Sequence, residues 1–299
     1  MNIRTLLPVT DTKITDIDFC DDKDKKNKRE IKKNPESKKP YKLDFRNLNI
    51  EKVETSKNKI PQRKLMELNI IPRHPGVSLI VGSVGSGKTN FLINLLTKPQ
   101  FWGPSMELTD DMTPFFDIIF LLTGSDDDAY DGLIAEGVIK EKHIKFDPQA
   151  EDIQKIIDIQ MANIKKVGLL ESPKVLIILE DIVDNKRLLN SKPFRSLFIK
   201  PRQHNFTVLL LSQYINLIPK GLRQQAINLF IFPQNRAGEE IICDQFCPGN
   251  MTKRDFMGVI TQATEVRDGD SHPFMHINRR CKNCERFRRN LDKIIDIGE

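Results

Sequence analysis

The sequence contains no long apolar run. None of its stretches approaches the roughly 18 consecutive apolar residues that a membrane-spanning helix requires, so we expect no membrane span. Residues 1–16 have no continuous apolar stretch behind a basic start, and we therefore expect no signal peptide. Cysteine is scarce, with 5 residues in 299, an odd number without the density of a secreted disulfide scaffold. These absences predict a protein of a reducing, intracellular compartment.

Charge, in contrast, is abundant: 29% of the residues are charged and the net charge is +6. This balance permits an anionic partner such as nucleic acid without requiring one. Many of the lysines lie between about Cys20 and Arg63, where Pro35 and Pro40 would interrupt a helix and apolar residues are few. Such a segment cannot bury enough surface to offset its ordering entropy, so we predict a disordered basic arm over residues 1–65. A nucleic-acid arm, a nuclear localisation signal and a solvated tail are the alternatives for it.

Apolar segments alternate with helical patterns from residue 66 to residue 280. Buried strands are predicted at 77–81, 116–122, 175–179, 206–211, 228–232 and 273–277, and helices at 90–96, 153–164, 237–246 and 256–263. This alternation predicts a three-layer α/β domain with a mainly parallel sheet covered on both faces. Ligands of such sheets bind at the carboxyl ends of the strands.

A phosphate-binding loop follows the first predicted strand. Its pattern of glycine, four residues, glycine, lysine and Ser or Thr is met by Gly82, Ser83, Val84, Gly85, Ser86, Gly87, Lys88 and Thr89. Glycines let backbone N–H groups face a polyphosphate, and the helix continuing through Asn90 presents its N-terminus to the same anion. Lys88 would offset charge on the β and γ phosphates, and the Thr89 hydroxyl would bind Mg²⁺. We therefore predict an ATP site at residues 82–90.

Two adjacent acids, Glu180 and Asp181, end the third predicted strand as in a Walker B motif. One carboxylate would hold Mg²⁺, directly or through water, and the other would polarise the attacking water. If the register follows the apolar run, Glu180 takes the metal role and Asp181 the water-activating role. The alternative is a solvated pair or a helix cap at a strand end.

The segment that begins at Arg202 adds a further signature. The strand at 206–211 ends in Ser212, Gln213 and Tyr214, and Arg223 follows ten residues after Gln213. With the block from Pro75 to Leu96 and the paired acids, these residues resemble the FtsK–HerA superfamily. More narrowly, they resemble the genome-packaging ATPases of large double-stranded DNA viruses, the poxvirus type with its virophage and polinton relatives. The resemblance covers about residues 72–280.

The resemblance implies an additional-strand ATPase, in which a strand inserted between the phosphate-loop strand and the Walker B strand senses the γ-phosphate. It implies that Gln213 is the sensor and that Arg223 is an arginine finger reaching into a neighbouring subunit. Glu180 departs from the family, which usually has Asp at that position. The alternatives are that Gln213 only satisfies backbone groups and that Arg223 is an ordinary surface arginine.

The implied function is ATP-driven packaging of viral double-stranded DNA into a capsid. The implied partners are the DNA, a homo-oligomeric ring of five or six subunits, and the capsid or portal vertex. The implied location is the host cytoplasm, within a viral factory, or the virion, with the nucleus as an alternative. A cellular-type DNA pump or helicase of the same superfamily is the nearest rival.

Three further function classes are weaker. A small-molecule kinase would need a lid with arginines, and no clear lid motif is present. A GTPase would need Asn-Lys-x-Asp, but Asn185 and Lys186 are followed by Arg187 and Leu188. The intact Lys88 argues against a non-enzymatic capsid-associated DNA-binding protein.

The carboxyl-terminal region has a cysteine pattern and excess basic charge. Cys281 and Cys284 have the spacing of half a zinc site, and Cys243 and Cys247 could supply the other half. We favour free thiols over this zinc site. We predict a basic tail at residues 281–299. This end is made strongly basic by Arg279, Arg280, Lys282, Arg286, Arg288 and Arg289. Such a tail would contact DNA phosphates independently of sequence, or else be a solvated helix or a subunit contact.

Overall fold

The computed structural model describes residues 64–105, 113–125, 128–281 and 283–297. The arm predicted at 1–65 lies outside these ranges, apart from its last two residues. Within them, the strands are β1 (Gly76–Val81), β2 (Ile118–Thr123), β3 (Ile144–Phe146), β4 (Val175–Glu180), β5 (Phe206–Ser212), β6 (Asn228–Ile231), β7 (Met275–Asn278), β8 (Phe287–Arg289) and β9 (Lys293–Ile294). They form one sheet in the order β3-β2-β4-β5-β1-β6-β7-β8-β9. The first six pair in parallel and the last three extend the sheet antiparallel, which confirms the mainly parallel α/β prediction.

The helices are α1 (Lys64–Glu67), α2 (Lys88–Thr97), α3 (Asp131–Ala135), α4 (Ala150–Val167), α5 (Lys186–Asn190), α6 (Lys192–Ile199), α7 (Pro201–His204), α8 (Lys220–Arg223), α9 (Arg236–Phe246), α10 (Lys253–Thr264) and α11 (Asn283–Arg286). Side chains at the N-caps fix several of the starts, as where Asn235 accepts from the Gly238 amide at 2.9 Å. Each helix predicted from the sequence is present. Within the described ranges, every helix is too short or too polar to span a lipid bilayer.

Two apolar cores lie on opposite faces of the sheet. In β4, Val175, Ile177 and Leu179 belong to one core, while Leu176 and Ile178 belong to the other. Alternate residues of a strand face opposite sides, so a continuous apolar strand needs a cover on both. One core includes residues of α4, α6, α9 and α10, and the other includes those of α2. These layers are the three that the sequence predicts.

The position of β5 decides the type of ATPase fold. It pairs with β1 on one side and with β4 on the other, so the strand of the predicted sensor lies between the phosphate-loop strand and the acidic strand. In the register, Val81 is opposite Ser212 and Glu180 is opposite Leu211. The three strands therefore end at nearly the same level, and the residues that follow them meet at one edge.

The carboxyl-terminal segment differs from the predicted tail. Residues 287–289 form β8, which pairs antiparallel with β7, and β9 pairs with β8. Arg288 and Arg289 are each only 5% exposed, so these two are not free to contact DNA. The sheet therefore continues past the expected boundary at residue 280. The strand β8 is too short and too basic to show the apolar pattern from which a buried strand is predicted.

Candidate nucleotide-binding site

The phosphate loop joins β1 to α2 at the carboxyl-terminal edge of the sheet. The Gly82 amide donates to Ser212 O at 3.1 Å and anchors the loop to the end of β5. Gly87, the N-cap of α2, has a φ of 97°, a left-handed conformation that glycine adopts at little cost. The first hydrogen bond of the helix runs from the Phe91 amide to Gly87 O, so the amides of residues 88–90 have no acceptor within the helix. These donors and the positive end of the helix dipole form an anion site.

Lys88 turns its ammonium group into this loop. Nζ donates to the carbonyls of residues 82 and 83 at 2.8 and 3.0 Å. Burial lowers the pKa of Lys88, while the charges of Asp181 and Glu180 act in the opposite direction, which puts both carboxylates within electrostatic reach. Ser86 Oγ is buried without a hydrogen-bond partner in the described part of the chain. A buried hydroxyl without a partner, beside uncommitted amides, fits a site for polyphosphate.

The two acids have different surroundings. Glu180 ends β4, is 6% exposed, and accepts a hydrogen bond at Oε2 from the Tyr130 hydroxyl. Asp181 is half-buried with a φ of 49°, and its Oδ2 accepts from Ser125 Oγ at 3.3 Å. A Cβ on Gly124 would lie 2.3 Å from Asp181 O, so the chain can pass this close only with glycine there. Glu180 is therefore enclosed, and Asp181 is the more accessible carboxylate.

Gln213 directly follows β5 and lies at the same edge as the phosphate loop and the acids. It is half-buried, and its side chain makes no hydrogen bond to any residue that the structure describes. Its neighbour Ser212 is committed, because Ser212 Oγ donates to Tyr214 O at 3.0 Å. The amide of Gln213 is thus available to a ligand, as a sensor requires, and its role stays a prediction.

Arg223 lies in α8 and is only 7% exposed. Nη1 donates to Ile215 O at 2.7 Å, and Nε donates to Gln245 Oε1 at 3.1 Å. Burial lowers the pKa of this guanidinium. In this conformation Arg223 is held by its own subunit, so action in a neighbouring subunit requires both contacts to break. The arginine-finger assignment also stays a prediction.

Comparison with protein families gives the decisive observation. The family model described as "Poxvirus A32 protein" matches residues 65–246, which contain the phosphate loop, the acidic pair, Gln213 and Arg223. The chain belongs to the poxvirus A32 protein family. This membership confirms the resemblance to poxvirus-type packaging ATPases that the sequence motifs predict.

A curated relative of this A32-family chain is the "Uncharacterized protein 015R" of Frog virus 3 (isolate Goorha), which is 25% identical over 162 residues. The match covers 52% of this chain and 44% of the relative, so the chain spans less than half of that protein. The genome packaging NTPase B204 from Sulfolobus turreted icosahedral virus 2, in complex with AMPPCP, is similar in structure with a TM-score of 0.46 and 11% identity, over 74% of this chain and 98% of that chain. The cytoplasmic domain of the Thermomonospora curvata type VII secretion ATPase EccC gives 0.44 and 9%, over 75% of this chain and 24% of that chain.

His272 lies at the phosphate loop, and no sequence motif marks it as part of the site. A Cβ placed on Gly87 would lie 2.7 Å from His272 Cγ, so the imidazole packs against the N-cap of α2. The loop that carries His272 is held by Asp270, whose Oδ2 accepts from Arg289 Nη2 at 2.7 Å. Arg289 also donates to three backbone carbonyls at the end of α10 and just beyond it. Strand β8 thereby holds His272 against the nucleotide site of this A32-family protein.

Tyr130 is the second unpredicted residue. Its hydroxyl reaches Glu180 from the short 3₁₀ helix Asp128–Tyr130, which follows β2. No motif marks this tyrosine, because the contact depends on how the segment after β2 folds over the end of β4.

The structure does not support a zinc site. Cys243, Cys247 and Cys281 form no disulfide bond with one another. Cys243 packs in the core, where burial raises its pKa to about 11, and Cys247 Sγ donates to two carbonyls of the following loop. Among the described residues, no three or more His, Cys, Asp or Glu side chains are grouped to hold a metal, and the Cys284 side chain lies outside the description. Helix α9 directs Cys243 into the core, away from a shared site with Cys281.

Proposed function

We propose that this chain is an ATP-driven translocase of double-stranded DNA that packages a viral genome into its capsid. The observation that carries the proposal is the place of β5 between β1 and β4 in a chain of the A32 family. That order brings the phosphate loop, the acidic pair and Gln213 to one edge. The rival reading as a cellular-type pump is not favoured, because the matching family is viral.

Lys88 and the amides of residues 88–90 would hold the phosphates of ATP. Lys88 needs only to exchange the carbonyls of residues 82 and 83 for phosphate oxygens, and the unpartnered Ser86 hydroxyl can donate to the same anion. Thr89 and one of the two carboxylates would hold Mg²⁺, which neutralises charge on the transferred phosphoryl group. A Mg²⁺ ion on one or two carboxylates and phosphate oxygens does not require a larger acidic cluster.

Water activation falls to the acidic pair and to the sensor strand. If the register of β4 continues, Glu180 would hold the metal and Asp181 would activate the attacking water. The greater exposure of Asp181 supports this division, because water must reach the group that accepts its proton. Gln213, one strand away, would contact the γ-phosphate and report its loss to β5.

The partners follow from the same function. The chain would form a homo-oligomeric ring of five or six subunits around duplex DNA and dock on the capsid or its portal vertex. It would act in the cytoplasm of the infected cell, in a viral factory, or in the virion. The family match gives the nucleus no support.

The test is ATP hydrolysis measured with and without duplex DNA of mixed sequence. We expect DNA to stimulate hydrolysis and Lys88→Ala to abolish it and strongly weaken nucleotide binding, because the ammonium offsets charge on the phosphates. Near-wild-type turnover by Lys88→Ala would exclude this loop as the active site. An active wild-type enzyme that no duplex stimulates would contradict translocation and leave the kinase and GTPase classes to be examined with their own substrates.

A further inference from the structure

Arginines from three separate segments meet at the edge of the sheet opposite the phosphate loop. Arg73 precedes β1, and Arg202 lies in α7 just before β5. Arg279 and Arg280 follow β7, which runs antiparallel and so ends at this same edge, with Asn278 opposite the first residue of β6. None of these four side chains takes part in the nucleotide site described above. We call them the arginine edge.

Backbone contacts hold these segments together. Asn278 Nδ2 donates to Asn69 O at 2.6 Å, which ties the chain leading into Arg73 to the end of β7. Arg279 Nη1 donates to the carbonyls of residues 224 and 226 at 2.6 and 2.9 Å. Arg73 Nε donates to the carbonyl of residue 66 at 2.8 Å. Arg202 and Arg280 remain exposed, so the edge has two positioned arginines and two that can reach outward.

No carboxylate in the described part of the chain neutralises the charges of the arginine edge. None of its four members forms an ion pair with a described residue. The pKa of Arg280 is lowered by partial burial and then by the charges of Arg202 and Arg73, so these groups are close enough to repel one another. Arg286 adds to the cluster, because its pKa is lowered by burial and by the charge of Arg279. Cations gathered without counter-charges repel one another and attract a polyanion.

We propose that the arginine edge binds the phosphate backbone of double-stranded DNA, an inference that rests on the proposed function. Guanidinium groups bind phosphate through paired N–H donors, and contacts to phosphate position a duplex without reading its sequence. A packaging motor needs such indifference to sequence. An acidic protein partner is the competing occupant, and the experiment below separates the two.

If DNA binds at the arginine edge, strands β1 and β5 connect the DNA to the ATP site. β1 begins next to Arg73 and ends at the phosphate loop, and β5 begins next to Arg202 and ends at Gln213. A strand of 6 residues is about 20 Å long, so DNA and ATP would lie on opposite edges of the same two strands. A shift of β5 against β1 when the γ-phosphate is lost would move Arg202 relative to Arg73, and with them the DNA.

The experiment compares full-length wild-type protein with the double variant Arg202→Ala/Arg280→Ala. Duplex affinity is measured by fluorescence anisotropy with a labelled duplex of mixed sequence between about 50 and 200 mM salt. We expect the slope of log affinity against log salt to fall in magnitude by about 1.8 for each subunit that contacts the duplex, since each of the two lost phosphate contacts removes roughly 0.9. ATP hydrolysis without DNA should stay at the wild-type rate, and its stimulation by DNA should fall.

Two further variants complete the design. Arg187→Ala/Arg254→Ala removes the same charge from exposed arginines elsewhere and should keep the wild-type slope. Arg202→Lys/Arg280→Lys keeps the charge and should keep most of the slope, which excludes misfolding as the cause.

The outcomes separate the inference from the function on which it rests. Wild-type protein that is stimulated by duplex, with an unchanged slope in Arg202→Ala/Arg280→Ala, would overturn the inference alone and leave the edge to an acidic protein. An equal reduction of the salt slope in the alanine variant and in the Arg187→Ala/Arg254→Ala control would also overturn the inference, because the loss of net charge alone would then explain it. Wild-type protein that neither binds duplex nor responds to it would remove the proposed function and the inference together.

Discussion

Glu180 and Asp181 are adjacent carboxylates, yet only one of them is placed to contact water freely. Tyr130 donates to Glu180, which is enclosed at the end of β4. Asp181 is half-buried, and its one side-chain hydrogen bond from a described residue is a long one, from Ser125. We therefore predict that Asp181→Asn binds Mg²⁺-ATP but hydrolyses it very slowly, because an amide cannot accept the proton of the attacking water. Titration calorimetry with a non-hydrolysable ATP analogue and a turnover assay measure the two effects separately.

The matched variant is Glu180→Gln, which should weaken Mg²⁺-dependent binding of the analogue. If Asp181→Asn instead loses Mg²⁺-dependent binding while Glu180→Gln keeps it, the two roles are reversed. Such a reversal would mean that the metal is held by the first residue beyond β4 rather than by the last residue within it.

His272 is a residue whose effect we expect to be on binding rather than on chemistry. Its ring packs against Gly87, and it stands in a loop held by the Asp270–Arg289 ion pair. Removing the ring would leave the N-cap of α2 uncovered and let the phosphate loop sample other conformations. We predict that His272→Ala raises the Kd for the ATP analogue several-fold and lowers the turnover of saturated enzyme by less. Asp268→Ala, an exposed change in the same loop, is the control and should leave both unchanged. Equal losses in turnover and binding would instead indicate a direct part in the reaction.

At the scale of the elements, the sequence predicts best the strands that are buried on both faces. The strand predicted at 175–179 is β4 to within one residue, because a run of Val, Leu and Ile leaves few alternatives for a parallel sheet. β8 was not predicted, because Phe287 is its one apolar residue and its two arginines are buried through contacts with distant parts of the chain. Long-range contacts also limit how much of the site can be predicted from the sequence. The phosphate loop and Glu180 follow local patterns, but Tyr130 and His272 reach the site only through long-range packing.

Arg223 shows how an element can restrict what a motif predicts. The motif order implies an arginine that reaches into a neighbouring subunit, yet α8 turns the side chain inward onto Ile215 O and Gln245. Sequence spacing fixes the distance along the chain from Gln213 but not the direction of the side chain. Whether Arg223 acts in a neighbouring subunit or anchors α8 within its own subunit must therefore be tested in the assembled protein.

For the molecule as a whole, buried histidines predict a loss of stability in acid. His276 is fully buried, stacked on Phe230 and bonded to Asn228 Oδ1, and burial lowers its pKa from 6.5 to about 3. Burial also lowers the pKa of His74, from 6.5 to about 4. Between these values and 6.5 the unfolded chain binds more protons than the folded chain, so the free energy of unfolding falls as the pH falls. Each histidine contributes on the order of 1.4 kcal/mol per pH unit in that window.

Urea unfolding at a series of pH values between about 7 and 5 measures this dependence. His276→Gln keeps a hydrogen-bonding side chain but cannot titrate, so its stability should change less steeply with pH than that of the wild type, by about one proton. Parallel curves for the two proteins would show that His276 does not carry the effect.

The place of Arg223 in the proposed ring can be tested by mixing subunits that carry different substitutions. An arginine supplied to the transition state from a neighbouring subunit is typically worth roughly 10³-fold or more in rate. We predict that Arg223→Ala binds ATP normally but fails to hydrolyse it, and that mixing it with Lys88→Ala protein restores some activity. In a mixed ring, an intact Arg223 from one subunit meets an intact Lys88 in the next.

Gln245→Ala separates this role from local anchoring, because it removes a partner of Arg223 within the subunit and leaves the guanidinium in place. If Arg223 acts across the boundary, Gln245→Ala should retain hydrolysis, since the side chain has one contact fewer to break before it reaches the neighbour. If Arg223 only anchors the segment after β5, both variants should lose stability and activity together, and mixing should restore nothing. Each variant carries a different label, and monitoring the exchange of labelled subunits shows that the rings are mixed. Absence of rescue in demonstrably mixed rings, together with a Gln245→Ala protein as inactive as Arg223→Ala, would assign Arg223 to its own subunit, where its contacts to Ile215 and Gln245 already place it.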